Sequence, residues 1–239
     1  MRARREKNLA PKTFDNALTV REYALVVGFI PLHVLVIPNL VCLIPSLGED
    51  TVTMNFVCYC ISAITMLAVG FRLLRRDYDV LCDNVLRIVL EILGAYFAMI
   101  AMNLVVSMVF QLIMPVGNPN NAEVVSMAEL SYGKSAAMTV FLAPIAEEIM
   151  FRAGVFGYFA RRSRALGYTV AVLLFSLYHV WGYAIVDPAN LIYIIQYIPV
   201  SFLLCLVYER TRSIWGCIFF HMMVNSIALQ ALQALEQLM

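Results

Sequence analysis

Charge is scarce in this chain of 239 residues: Asp, Glu, Lys and Arg make up 14% of it, and the formal net charge is only +1. Without a surplus of basic residues, the composition predicts no binding to nucleic acid. The six cysteines include no CxxC pair and no Cys/His spacing of a zinc module, so we interpret them as small buried hydrophobic residues. The longest polar connection, about 115–134, is too short to fold as a separate soluble domain.

Hydrophobic residues, in contrast, make up 62% of the chain, and the mean hydropathy is +0.80. They form seven runs of about the length that crosses a bilayer, which is roughly 20 residues. The predicted spans are about 23–44, 52–73, 88–114, 135–159, 166–186, 189–208 and 213–235. The sequence therefore predicts an all-α, polytopic transmembrane helix bundle of about seven spans, with residues 1–239 in a single membrane domain.

The basic residues lie on one side of this arrangement. The N-terminal tail 1–22 and the second, fourth and sixth connections hold nearly all of them, whereas the alternate connections hold only Lys134. Because basic connections remain in the cytoplasm, we predict a cytoplasmic N-terminus and tail and an external C-terminus. The first apolar run is longer than the core of a signal peptide and lacks a small-residue cleavage site, so we expect it to be a retained span.

Three of the predicted spans carry polar groups at a similar depth. Glu147 and Glu148 lie in the fourth span, His179 in the fifth, and His221 and Asn225 in the seventh. A rise of about 1.5 Å per helical residue places these groups ~12–20 Å from the predicted cytoplasmic ends of their helices. A charged group in the bilayer costs about 2.5–3.5 kcal/mol on insertion scales, so this set indicates a functional site.

Spacing along the fourth span separates the two glutamates. Glu148 and Arg152 are four residues apart and are predicted to pair on one face. Glu147 is rotated by about 100° from its neighbour in a regular helix, so it is predicted to face a different helix. His33 in the first span also reaches mid-depth, but it has no patterned polar neighbour and is predicted to be structural.

The same spacing of four recurs in the fifth and seventh spans. His221 and Asn225 share a face, and the ring of Phe175 is predicted to pack against the imidazole of His179. Such a set can carry out hydrolysis. A carboxylate can take a proton from water, one imidazole can hold that water, and an amide with a second imidazole can stabilise an oxyanion.

The segments 147–152, 175–179 and 221–225 match the patterns EExxxR, FxxxH and HxxxN. In this order and spacing they resemble the CAAX protease and bacteriocin-processing family (CPBP, or Abi) of intramembrane glutamic endopeptidases. The resemblance covers about 135–235, which is predicted to be the catalytic core. One departure is Arg212, at a position where members often have glycine.

The resemblance implies a role for each matched residue. Glu147 would be the general base that activates water, and His179 would assist on the same water. His221 and Asn225 would form the oxyanion site, and the Glu148–Arg152 pair would support the geometry. The implied reaction is hydrolysis of a peptide bond in a membrane-associated peptide or membrane protein, of the CAAX-prenyl-protease or peptide-maturation type. The short chain and the family branch favour a bacterial plasma membrane.

Alternatives with the same residues remain open at this point. An ion-coupled transporter would also need ionisable groups in the membrane, although the sequence shows no inverted repeat and the polar groups stop at mid-depth. A non-catalytic scaffold or bacteriocin-immunity protein would bind a partner there without cleaving it. Glu147, His179 and His221 with a water would suit a catalytic zinc ion, but no HExxH pattern is present, and we predict a site without metal or other cofactor.

Overall fold

The computed structural model of the chain describes residues 14–16, 18–113 and 117–236. These residues are helical apart from short connections, and no strand occurs among them. The all-helical fold predicted from the sequence is therefore confirmed. Most of the predicted tail 1–22 lies outside the described residues.

The helices follow one another in the chain as α1 (Val20–Cys42), α2 (Thr51–Val69), α3 (Phe71–Asp83), α4 (Val85–Ile113), α5 (Pro119–Leu130), α6 (132–160), α7 (Arg164–Val186), α8 (Pro188–Thr211) and α9 (Ile214–Glu236). Within the described ranges, six helices are long and apolar enough to cross a membrane: α1, α2, α4, α7, α8 and α9. They correspond to six of the seven predicted spans, so the predicted count is roughly right.

The remaining predicted span, 135–159, corresponds to α6, which is a continuous helix of mixed type. α-Helical turns in α6 alternate with π-helical segments at Ala137–Leu142 and Glu148–Phe156. Pro144 follows the first π-helical segment, at a point where the regular hydrogen-bond pattern is already interrupted. The two glutamates therefore lie at a junction between helix types rather than in the regular helix that the spacing argument assumed.

α6 lies at the centre of the bundle. All of its residues from 146 to 157 are buried, and it contacts α1, α2, α7, α8 and α9. Because protein surrounds this stretch on all sides, its charged side chains face other helices instead of lipid. A central position of this kind reduces the cost of the charges in the most polar of the predicted spans.

The two ends of the bundle differ in charge. One end, which we call the arginine end, carries Arg72, Arg75, Arg76, Arg87, Arg161, Arg162, Arg164, Arg210 and Arg212. Contacts between connections show that these groups share one end, since Arg87 Nη2 donates to the Arg210 carbonyl (2.9 Å) and Arg164 Nε pairs with Glu209 (2.7 Å). At the opposite end, Lys134 pairs with Asp50 (3.6 Å).

α3 is an amphipathic helix at the arginine end that the sequence analysis treated as part of the second connection. Its buried Asp77 joins it to the start of α9, where the carboxylate accepts a hydrogen bond from the Ile214 backbone N–H (2.8 Å) and also contacts the guanidinium of Arg76. The hydroxyl of Ser213 donates to the Asp77 carbonyl (2.8 Å). Burial raises the pKa of the Asp77 carboxyl, and the Ile214 N–H and Arg76 oppose this shift. A side chain from α3 therefore caps the N-terminus of α9.

Replacement of Asp77 should consequently loosen the start of α9. We expect Asp77→Ala to lower the free energy of unfolding by about 2–3 kcal/mol, because the buried Ile214 N–H loses its only charged acceptor. Asp79→Ala, on the exposed face of the same helix, is the matched control and should change stability by less than about 0.5 kcal/mol. Thermal unfolding of both purified variants in detergent measures the difference, and equal melting temperatures would contradict this role.

Candidate active site

The carboxylate of Glu147 is buried (3% exposed) and lies in the wall of an internal cavity. Its Oε1 lies within hydrogen-bond distance of the hydroxyls of Tyr59 (3.3 Å) and Tyr178 (3.4 Å). Its Oε2 lies 3.9 Å from Nε2 of His221. Glu147 thus faces α2, α7 and α9, whereas Glu148 pairs with Arg152, as the sequence predicted, and both carboxylates approach His221.

Beside it, Glu148, Arg152 and His221 form a buried ionic cluster. Oε1 of Glu148 lies 3.2 Å from Nη1 of Arg152 and 2.7 Å from Nδ1 of His221. The predicted Glu148–Arg152 pair is therefore present. Since a carboxylate beside an arginine only accepts hydrogen bonds, Nδ1 of His221 carries a proton and its Nε2 is directed toward Glu147.

Aromatic and hydroxyl groups complete the surroundings of Arg152. Its guanidinium lies 4.0 Å from the centre of the Phe175 ring, and Nη2 reaches the Ser201 hydroxyl at 3.2 Å. Phe175 also contacts the ring of His179, with 4.5 Å between ring centres, as predicted. One phenyl ring therefore separates the ionic cluster from the second imidazole.

His179 has a defined protonation pattern. Its Nδ1 lies 2.9 Å from the carbonyl of Phe175, and a carbonyl can only accept, so Nδ1 carries the proton and Nε2 of the neutral ring is a free acceptor. The ring stacks on Tyr197 with 4.6 Å between centres. His179 lines the same cavity as Glu147.

Asn225 also lines the cavity, held by a hydrogen bond from its Nδ2 to the Thr139 carbonyl of α6 (2.8 Å). An amide nitrogen has two N–H groups, so one remains for a ligand. His221, in contrast, is buried behind Glu147 and is not among the residues that line the cavity. The structure therefore places Glu147, His179 and Asn225 in the lining of one cavity and His221 against the two carboxylates.

The cavity has a volume of about 690 Å³ and extends between α1, α2, α5, α6, α7, α8 and α9. This size is within the range of sites that hold small organic ligands or short peptide segments. Five of its lining residues come from α5, in the connection that was predicted to be too short to fold alone: Asn120, Asn121, Glu123, Val124 and Met127. That connection forms one wall of the cavity.

The sequence analysis missed the hydroxyl groups that contact Glu147. Tyr178 directly precedes a predicted site histidine, which is a signal that could have identified it, whereas nothing in the sequence of α2 distinguishes Tyr59. His33, predicted to be structural, donates to or accepts from the Tyr178 hydroxyl through Nε2 (2.8 Å). The signal in the sequence that could have identified His33 is its position at mid-depth in the first predicted span.

Arg212, the noted departure from the family pattern, ends α8 with a backbone in the left-handed region (φ 57°, ψ 21°). Glycine adopts this conformation without a steric penalty, which explains why glycine suits this position. The guanidinium of Arg212 packs over the ring of Phe14 at 4.6 Å. Arg212 therefore lies at the arginine end and is not among the residues that line the cavity.

Among the described residues, no group of three or more His, Cys, Asp or Glu side chains is arranged to hold a metal ion. Nδ1 of His221 is bonded to Glu148, and Nδ1 of His179 is bonded to a backbone carbonyl. Hydrolysis without a metal therefore remains a prediction from the sequence.

The fold and the site define a multi-pass membrane protein with buried carboxylates and imidazoles around an internal cavity. Residues 131–227 match a family model, Rce1-like, described as Type II CAAX prenyl endopeptidase Rce1-like. The match contains all three motifs and confirms the predicted resemblance to the CAAX protease and bacteriocin-processing family over this part of the chain. It supports an intramembrane endopeptidase. No curated protein and no solved structure matches the chain significantly.

The ionic cluster makes a prediction about stability. Arg152→Met would leave the buried Glu148 carboxylate without its guanidinium, so we expect a loss of about 3–5 kcal/mol in the free energy of unfolding. The double variant Glu148→Gln/Arg152→Met removes both charges and should lose less than the single variant. Thermal unfolding in detergent compares them. A single variant that melts at the wild-type temperature, or a double variant that melts lower, would contradict the role of this pair.

Proposed function

We propose that the protein is an intramembrane endopeptidase in which Glu147 activates water for attack on a peptide bond of a membrane-associated peptide or membrane protein. The observation that carries the proposal is that Glu147 and His179 line the same cavity, with the Glu147 carboxylate 3.9 Å from His221. The family match supports a peptide or protein as the substrate class. The six apolar helices support a multi-pass membrane location, and we propose a bacterial plasma membrane.

In this mechanism Glu147 takes a proton from a water molecule, and the hydroxide attacks the carbonyl carbon of the scissile bond. Nε2 of His179 accepts a hydrogen bond from the same water and orients it, since its Nδ1 is already committed to the Phe175 carbonyl. When the tetrahedral intermediate collapses, the C–N bond breaks and the proton on Glu147 passes to the leaving amine. The carboxylate is then regenerated, and the groups that carry out this cycle require no cofactor.

The negative charge on the intermediate requires hydrogen-bond donors. Asn225 has one N–H left after its bond to Thr139, and its side chain lines the cavity that Glu147 also lines. His221, held by Glu148 through Nδ1, is the second donor once its Nε2 is protonated. Glu148 and Arg152 support catalysis in this proposal by fixing the position of the His221 ring.

Tyr59 and Tyr178 orient the carboxylate of Glu147 in this mechanism. Hydroxyls of Tyr59 and Tyr178 both approach Oε1 of Glu147, so Oε2 is the oxygen left to accept the proton of water. Hydrogen bonds to one oxygen also fix the rotation of the carboxylate. The base is thereby held in one orientation before substrate binds.

Replacement of the proposed base is the direct test. We expect Glu147→Gln to reduce cleavage by at least about 10³-fold, because the amide retains the shape of the side chain but cannot take a proton from water. Substrate is identified by comparing peptides and small membrane proteins that accumulate in cells lacking the protein with those in cells that carry Glu147→Gln.

The matched control is Glu129→Gln, a change of the same kind at an exposed position of α5, which should cleave at the wild-type rate. Both variants should insert and melt as the wild type does. A folded Glu147→Gln protein that still cleaves the accumulating substrate would rule out the mechanism. Biological activity that survives this change would favour the non-catalytic scaffold.

A further inference from the structure

The cavity leads from Glu147 toward one end of the bundle. Close to the glutamate it is lined by Ala143, and farther away it is lined by Asn121, Glu123 and Val186, which are exposed at the surface. Val186 is the last residue of α7 and is 86% exposed. The cavity therefore opens between α5 and the C-terminal end of α7, at the end of the bundle where Lys134 pairs with Asp50.

Between Glu147 and the arginine end, the described residues are packed closely and leave no path for a substrate. Every residue of α6 from 148 to 157 is buried, including the charged Arg152. Large aromatic side chains pack around this stretch, with Phe151, Phe156 and Phe175 at most 1% exposed. A peptide could not reach Glu147 from the arginine end without displacing this packing.

The charge distribution relates these two ends to the two sides of the membrane. No Lys or Arg is among the residues that line the cavity, whereas the opposite end of the bundle carries the nine arginines that define the arginine end. Basic connections are retained in the cytoplasm during insertion. The arginine end is then cytoplasmic, and the cavity opens on the non-cytoplasmic side.

We propose that this site acts on peptide segments presented on the non-cytoplasmic side of the membrane, namely on exported or outward-facing parts of membrane-anchored peptides. This inference rests on the proposed function. It implies that translocation or insertion of the substrate precedes cleavage, and it excludes a substrate whose scissile bond stays in the cytoplasm. The scissile bond would pass the wall formed by α5 to reach Glu147.

Thiol labelling in intact cells tests the direction of the opening. Three single-cysteine proteins are needed: one keeps Cys42 at the end of α1, one keeps Cys82 on α3, and one carries Ala228→Cys in the cavity wall. The probe is methanethiosulfonate ethyltrimethylammonium, a small reagent whose permanent charge keeps it from crossing the membrane. We expect it to modify the Cys42 and Ala228→Cys proteins in intact cells and to modify Cys82 only after permeabilisation.

Labelling of Cys82 in intact cells, or of Ala228→Cys only after permeabilisation, would overturn the proposal. Each labelling pattern is also recorded in proteins that carry Glu147→Gln, so that it does not depend on cleavage. A reversed pattern with cleavage that needs Glu147 would refute the side of access and leave the proposed function intact. The expected pattern with cleavage that survives Glu147→Gln would refute the function instead.

A different observation concerns a chain of hydrogen bonds that links α1 to the site. The hydroxyl of Ser62 donates to the Cys58 carbonyl (2.8 Å), so its oxygen must accept from Nδ1–H of His33 (2.7 Å). Nε2 of the neutral His33 then accepts from the Tyr178 hydroxyl (2.8 Å). His33 is buried (5% exposed) and therefore exchanges none of these partners freely with solvent.

This order determines which hydroxyl donates to Glu147. With its single proton directed to His33, Tyr178 cannot donate to the carboxylate, and it can accept from Tyr59 (2.9 Å). The single proton of Tyr59 is then shared between the Tyr178 oxygen (2.9 Å) and Oε1 of Glu147 (3.3 Å), so Tyr59 is the hydroxyl that can donate to the carboxylate. We infer that His33 is a positioning residue, which acts on the base by setting the orientation of the two tyrosine hydroxyls.

Steady-state kinetics of His33 variants test this inference. The probe is an internally quenched peptide selected from a random library by cleavage with the wild-type protein. We expect His33→Leu to lower kcat roughly tenfold with KM changed less than about twofold, because the oriented hydrogen bond to the carboxylate is lost. His33→Gln keeps a carbonyl oxygen that can accept from Tyr178 and should restore part of the loss.

Phe29→Leu is the matched control, since Phe29 stacks on His33 but takes no part in the hydrogen bonds. It should leave kcat close to the wild-type value. The inference fails if His33→Leu lowers kcat no more than Phe29→Leu does, or if His33→Gln is no better than His33→Leu.

Discussion

A charge buried inside a membrane protein needs a partner of opposite charge, and the cluster of Glu148, Arg152 and His221 meets this requirement at the centre of the bundle. Separately, each of these groups would be costly inside a membrane. Together they offset one another's charge at distances of 2.7 and 3.2 Å, although Glu148 Oε2 and Arg152 Nε have no hydrogen-bond partner among the described residues, and they are surrounded by α1, α7, α8 and α9. The cluster fixes the rotation of α6 relative to α9. Since Glu147 is the next residue, the same cluster also determines where the proposed base lies.

The winding of α6 separates two adjacent carboxylates into different environments. Glu147 ends an α-helical turn and faces tyrosine hydroxyls and a cavity, while Glu148 begins a π-helical segment and faces an arginine. Segments of π-helix are frequent at functional sites, because the extra residue per turn changes the direction of side chains. The charge of Glu148 is therefore balanced by Arg152, whereas Glu147 lines the cavity, where a water molecule could reach it. The proposed hydrolase mechanism depends on this difference, because only Glu147 is proposed to take a proton from water.

Hydropathy and motif spacing predicted much of this arrangement. Apolar runs located the spans, and the spacing of four residues predicted the contacts of Glu148 with Arg152 and of Phe175 with His179. The π-helical segments were not predictable, because their hydrogen bonds depend on packing by five neighbouring helices. The contact of His221 with Glu148 depends on the relative rotation of two helices, which spacing within one helix does not define. Tyr59 was missed because an aromatic residue in a span is common, and α3 because its arginines are typical of a connection.

The wall formed by α5 differs in character from the rest of the bundle. It is a helix of 12 residues at the membrane surface, held to its neighbours partly by side-chain hydrogen bonds such as that of Asn118 to Gln196 (2.7 Å) and that between Tyr183 and Glu123. Its side chains border the cavity but touch none of the ionic groups beneath it. In the proposed mechanism, selectivity and reactivity would therefore lie in separate parts of the chain, so that changes in α5 could alter which peptides are admitted without disturbing the residues that would cut them.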